Sequence, residues 1–236
     1  IMALPKLETP IHTLEVPSTG QQLKFRPFLV KEQKMLLMMQ ESDDENEIID
    51  TMSQLINSCT FGENNAESQP MFDIEYIFLQ LRSKSVGESV ELKLICPDDD
   101  KTTVKRKINL DKIEVQVEDN HTNEINISDQ IKIVFKYPTM KDMRGAVIGK
   151  NDVNSTLSIL TRCIHEIHFG DDIYNRVDIT EKELTEFVES LSTDQFTKVM
   201  EFFDTMPKLR HIIKVTNPKT KVKSEILIEG LQSFLV

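Results

Sequence analysis

The period of the hydrophobic residues changes abruptly at Gly87, and that change fixes the class of fold open to this chain. Before it, Ile74, Ile77, Phe78 and Leu81 recur at i, i+3, i+4 and i+7, which places four apolar side chains on one side of an α-helix. After it, Val90, Leu92 and Leu94 alternate with Glu91 and Lys93, the period of a strand with one buried face. Pro97-Asp98-Asp99-Asp100 then supplies a turn, and residues 103–108 a return strand. A chain that must bury both a helical stripe and an alternating face reads as α+β, with helices packed on hairpins.

The remaining segments extend this pattern. Residues 12–16 and 21–28 flank Pro17-Ser18-Thr19-Gly20, a turn in which proline presets its own φ and glycine permits a positive one, so a first β-hairpin is expected there. Good helix formers over residues 30–40 predict a helix. A second helix from about residue 45 aligns Ile48, Ile49, Met52, Leu55, Ile56 and Cys59. The run Glu41-Ser42-Asp43-Asp44-Glu45 at its start suits the positive end of the helix dipole. Residues 61–70 form a polar loop. Ile131, Ile133 and Phe135 alternate in a strand stopped by Pro138, with a loop over residues 119–126 before it.

The second half reads as mainly helical. Asn154 or Ser155 caps a helix bearing Leu157, Leu160, Ile164 and Ile167, with Gly170 for the left-handed position after it. Thr180 with Glu183, and Ser192 with Gln195, make two capping boxes in succession. The second of these helices carries Phe196, Val199, Met200 and Phe203 and ends at Pro207. A last hairpin, residues 211–228, turns about Asn217-Pro218. The expected organisation is a mixed lobe over residues 2–138, with two hairpins and about three helices, and a helical lobe over residues 139–236 ending in a hairpin. The boundary over residues 139–151 is soft, and a single body fits the same pattern.

Composition narrows the function classes. With 236 residues and 39% hydrophobic content the chain can bury a large core. Cys59, Cys96 and Cys163 are an odd number and far apart, which argues against a disulfide framework and for a reducing compartment. No apolar run approaches bilayer length, and no signal-type segment opens the sequence, so a soluble, non-exported protein is expected. Ile1 stands before Met2 and is set aside. A net charge of −11 argues against nucleic acid as a partner, because affinity for phosphate backbones needs clustered Lys and Arg. Lys105-Arg106-Lys107 and Lys219, Lys221 and Lys223 read as solvated faces.

Chemical motifs are sparse. Cys96-Pro97 resembles half of a zinc knuckle, but Asn217 stands where the second turn would need a cysteine. Cys163, His165 and His168, with Asp171 and Asp172 following, come nearest to a metal cluster. On a helix, however, only His165 and His168 share a face, and no second pair of ligands has diagnostic spacing. There is no GxGxxG or GxxxxGK[ST] among the seven glycines, no GxSxG and no HExxH. No catalytic, cofactor-binding or metal-ligating residue is assigned, and the chain is expected not to be an enzyme. The alternative of another class is a small cytosolic metal-dependent enzyme using His165 and His168.

Met35, Met38 and Met39 cluster on the first helix, where soft side chains either fill the core or adapt to a partner surface. Four blocks carry a resemblance: Ala3-Leu4-Pro5-Lys6-Leu7-Glu8-Thr9-Pro10, Lys24-Phe25-Arg26-Pro27-Phe28-Leu29-Val30-Lys31-Glu32, Arg82-Ser83-Lys84-Ser85-Val86-Gly87-Glu88 and Thr205-Met206-Pro207-Lys208-Leu209. Through them, nearly the whole chain resembles the baseplate hub assembly proteins of T-even-like contractile-tailed bacteriophages. The resemblance implies work on the central hub of the tail baseplate in an infected bacterial cytoplasm, with other baseplate hub proteins as partners and neither nucleic acid nor membrane. Self-association stays open. An assembly factor or chaperone is the first reading and a permanent hub subunit the second. Exposed hairpin edges and apolar helix faces would then make the contacts, with Pro27, Phe28, Met35, Met38, Met39, Asn217 and Pro218 as candidate partner-binding residues.

Overall fold

Residues 7–42, 44–145 and 153–230 are described by a computed structural model. Strands β1 (His12–Glu15) and β2 (Gln22–Phe25) pair antiparallel with Leu14 opposite Leu23. The turn between them is closed by the Val16 N–H on the Gln21 carbonyl, as its Pro and Gly predict. Helix α1 (Val30–Glu41) follows, and then α2 (Glu45–Cys59). The Asp44 carboxylate accepts the Asn46 and Glu47 N–H groups, satisfying two donors that have no partner within α2. Asp43, in the same acidic run, lies outside the described residues. On the stripe of α2, Ile49, Leu55, Ile56 and Cys59 are buried.

Helix α3 (Met71–Val86) buries Ile74, Ile77, Phe78 and Leu81 completely, and Leu79 as well. A helix apolar on more than one side belongs at the centre of a core. Asp73 in its first turn accepts both the N–H, at 2.9 Å, and the hydroxyl of Ser18, which ties the β1–β2 turn to the helix N-terminus. Strands β3 (Ser89–Ile95) and β4 (Thr103–Asn109) form the hairpin foreseen after Gly87, with Val90 opposite Ile108 and Leu94 opposite Val104.

The next strands are short. β5 (Glu114–Gln116) and β6 (Glu124–Asn126) are too brief to show a period, and β6 lies in the stretch expected to be a loop. β7 (Ile131–Phe135) is the strand foreseen before Pro138. Helix α4 (Val153–Cys163) stops short of its expected end, because residues 164–169 form β8 (Ile164–Phe169), followed by β9 (Asp172–Asn175). Asn154 and Ser155 lie inside the first turn of α4 rather than capping it, and the residue before that turn is outside the described ones.

The physical reason for the correction is a bulge. Ile167 stands opposite Ile133 on β7, but the register then shifts so that Phe135 faces Ile164 and not His165. The extra residue turns Ile164 inward again, so two isoleucines three apart are both buried within one strand. Three-residue spacing also marks a helix, and periodicity alone cannot separate the two. Gly170 does not end a helix. It opens the two-residue turn between β8 and β9 at φ 59°, the first central position of a type II′ turn, where glycine is favoured. The mainly helical second half is therefore interrupted by a hairpin, and the sheet order is β6-β7-β8-β9.

Helices α5 (Glu181–Glu189) and α6 (Thr193–Thr205) both carry the capping boxes read from the sequence. Leu184, Val188, Val199 and Phe202 pack with Ile125, Ile133, Phe135 and Ile167 of the sheet to form one hydrophobic core. The last hairpin, β10 (Lys208–Thr216) and β11 (Lys223–Glu229), takes β5 along the other side of β10, with Leu209 opposite Val115. Its inner residues Leu209, Ile213, Val215 and Ile228 join Leu14, Phe25, Leu55 and α3 in the other core. The two cores thus interleave along the chain.

Polar contacts bridge them. Lys136, just after β7, binds the Asp142 carboxylate at 2.7 Å, and Arg162 of α4 donates to the carbonyls of Asp142 and Arg144 at 2.8 and 2.6 Å. Arg144 in turn meets Asp50 of α2 and Glu67, both at 2.6 Å. Of the boundary expected over residues 139–151, the part from 146 onward lies outside the described residues.

Candidate functional site

Helix α1 offers apolar side chains in two directions. Met39 is buried, Met35 is half-buried and Leu36 is half-buried against the core, whereas Val30, Leu37 and Met38 are 84%, 59% and 58% exposed. The reason is visible in Leu36-Leu37-Met38-Met39: four consecutive residues at 100° each sweep most of the way round a helix, so they cannot all face one core. Of the three methionines, only Met38 points outward. Val30 and Leu37 are surface residues that the methionine cluster did not single out, although for Leu37 the four-residue apolar run carries the signal.

The start of α1 is fixed by a buried ion pair. The Glu32 side chain is 1% exposed and accepts Arg26 Nη2 at 2.9 Å, the Leu29 N–H at 2.8 Å and the Ser58 hydroxyl at 2.9 Å. Leu29 has no side-chain oxygen to offer in return, so only the carboxylate half of a reciprocal cap forms. Burial by itself would raise the Glu32 pKa, but Arg26, the Leu29 N–H and Ser58 together outweigh it and hold the carboxyl down at about 2. Arg26 also donates to the Pro27 and Ser58 carbonyls. Pro27 and Phe28 are half-buried. Phe28 packs 6.0 Å from Phe78 and gives its N–H to Ser85, so this pair anchors α1 to α3.

Asn217 is fully buried, and its side chain is used internally. Its Nδ2 donates to both Asp98 oxygens at 3.0 and 3.1 Å, and its Oδ1 accepts the N–H of Lys219 at 2.9 Å. The Thr220 hydroxyl also reaches Asp98. Asn217 thereby joins the tips of the β10–β11 and β3–β4 hairpins, while Pro218 beside it is exposed. Asn217→Ala is expected to lower stability by about 1–3 kcal/mol, read from the midpoint of urea unfolding, because it strips donors from a carboxylate. On the outer face of the same hairpin, half-exposed Ile212 and Leu227 stand opposite each other between the Arg210–Glu229 and Lys214–Glu225 ion pairs.

The groups weighed for chemistry are placed as follows. Cys163 closes α4 inside a core, where burial pushes its thiol up to about 12, and burial likewise pushes Cys59 up to about 11. Thiols held protonated are poor nucleophiles and poor metal ligands. His165 and His168 lie on β8 rather than on a helix, and both reach Glu166, at 3.8 and 2.8 Å. Among the described residues no group of three or more His, Cys, Asp or Glu side chains is arranged to hold a metal ion. Among the same residues, no helix is long and apolar enough to cross a membrane.

Compared with known proteins, residues 9–236 match a family model described as T4 bacteriophage base plate protein. No curated protein and no solved structure matches the chain.

Proposed function

The chain belongs to the T4 bacteriophage base plate protein family, and from that premise we propose that it helps to build the central hub of the tail baseplate by protein–protein binding. In this reading it is an assembly factor acting in the host bacterial cytoplasm on other baseplate hub proteins, with no catalytic centre of its own. The observation that supports it is the outward side of α1, where Val30, Leu37 and Met38 stand in solvent on a helix whose other side is already packed. Flexible methionine beside leucine suits a surface that must fit a partner during assembly. The half-exposed Ile212 and Leu227, framed by charge pairs, offer a second contact of similar design.

The test uses the full chain carrying Leu37→Asp together with Met38→Asp. Both positions are exposed, so stability should move by less than about 1 kcal/mol. Recovery of hub proteins from infected cells should fall by about 30-fold, the loss expected for one central contact of roughly 2 kcal/mol. Unchanged recovery would remove α1 from the interface. Mass spectrometry of purified virions separates the two roles: an assembly factor is absent from mature particles, whereas a permanent hub subunit is present in fixed stoichiometry.

A further inference from the structure

A second surface, independent of α1, lies at the free edge of the sheet β6-β7-β8-β9. Among the described residues β9 has no strand beyond it. Its four residues Asp172-Ile173-Tyr174-Asn175 are all exposed, and apart from its shortness and the charge of Asp172 it carries none of the devices that protect an edge, having no proline, no lysine and no bulge. The two-residue turn makes Phe169 and Asp172 a hydrogen-bonded pair, so the pattern along an antiparallel ladder points the N–H and C=O of Ile173 away from β8. Those groups are what an incoming strand would use.

Beside this edge is a groove of about 370 Å³, between the sheet and α5. Half-exposed Phe169 and Tyr174 line its sheet side, and Ile179 and Phe187 its other side. Ile167 and Tyr174 are cross-strand partners and therefore share the inward face, so a strand added to β9 would place alternate side chains over the groove. The rim is strongly acidic. Asp178 and Glu183 line the groove and are exposed, Asp171 lies in the turn and Asp172 follows it, and residues 164–190 hold eight carboxylates against two bases, Arg176 and Lys182.

We propose that β9 and this groove receive an extended segment of another protein, one that alternates apolar residues with lysine or arginine, as a fifth strand. Backbone pairing supplies the orientation, apolar side chains fill the groove, and cations on the segment meet the acidic rim. A second copy of the chain fits poorly, because pairing two β9 edges brings two acidic rims together.

The test titrates the full-length chain with a labelled, C-terminally amidated eight-residue peptide of alternating lysine and valine, followed by fluorescence anisotropy. Binding should weaken at least tenfold for the glutamate–valine counterpart and for the lysine–valine peptide methylated at every backbone nitrogen. Ile173→Pro, which removes an outward N–H, should weaken it by a similar factor. The methylated probe leaves the protein untouched, so the comparison holds even if Ile173→Pro fails to fold. No binding of the lysine–valine peptide, equal binding of either control peptide, or self-association of the chain that Ile173→Pro abolishes would each overturn the proposal.

Discussion

Replacing Glu32 with alanine is expected to lower the unfolding free energy by about 3–5 kcal/mol, among the largest losses available to a single residue of this chain. The change leaves the Arg26 guanidinium buried without its carboxylate and frees the Leu29 N–H and the Ser58 hydroxyl, all of which Glu32 now satisfies. Because these partners come from the residue after β2, the α1 entry and the end of α2, the loss should loosen the seat of α1 as well. Urea unfolding of both proteins at pH 7 measures the difference. The pH dependence has a definite sign. A carboxyl held at about 2 in the folded chain, against an ordinary value near 4.5, is protonated first in the unfolded chain. Its stabilisation is therefore complete above about pH 5 and is lost as the pH falls through 4.5 towards 2, a change of roughly 3 kcal/mol. A Glu32→Ala protein should lack that component of acid sensitivity, and an unchanged pH profile would show the pair to be energetically idle.

Phe202→Ala should cost a similar amount, about 3–5 kcal/mol, in the other core. The ring is fully buried, stacks 4.9 Å from Phe135 and 5.8 Å from Tyr137, and meets the edge of Phe203 at 5.0 Å. His121 lies 5.4 Å away. Its two ring nitrogens face the hydroxyls of Thr205 and Tyr137, and burial holds its pKa below the usual value. Truncating Phe202 removes the shared wall of this cluster, so the contribution of Tyr137 to the near-ultraviolet circular dichroism should weaken along with the urea midpoint. Phe202→Leu, which keeps most of the volume, should cost clearly less. Glu32 and Phe202 share no partners, so their losses should add to within about 0.5 kcal/mol wherever the two cores unfold together.

Much of the fold was legible because its signals are local. The stripe of α3, the alternation of β3, the boxes Thr180 with Glu183 and Ser192 with Gln195, and the turns at Pro17 and Pro97 each need only a few adjacent residues to act. The candidate contact residues were less so. Met38 was recognised by type, but exposure depends on which side of α1 meets α2, and that also made Val30 and Leu37 surface residues and Met39 a buried one. Asn217 looked available at a turn, yet its amide is committed to Asp98, 119 positions earlier.

The α+β class, the box-capped helices α5 and α6 and the principal hairpins follow from local signals, since propensity, caps and turn residues act within one or two turns of chain. Long-range packing settled the rest: residues 164–169 leave the helix to pair with β7, β5 joins β10, and among the described residues β9 is left as an open edge. Local preferences amount to a few tenths of a kcal/mol per residue, and a ladder that also buries Ile164 and Ile167 outweighs them.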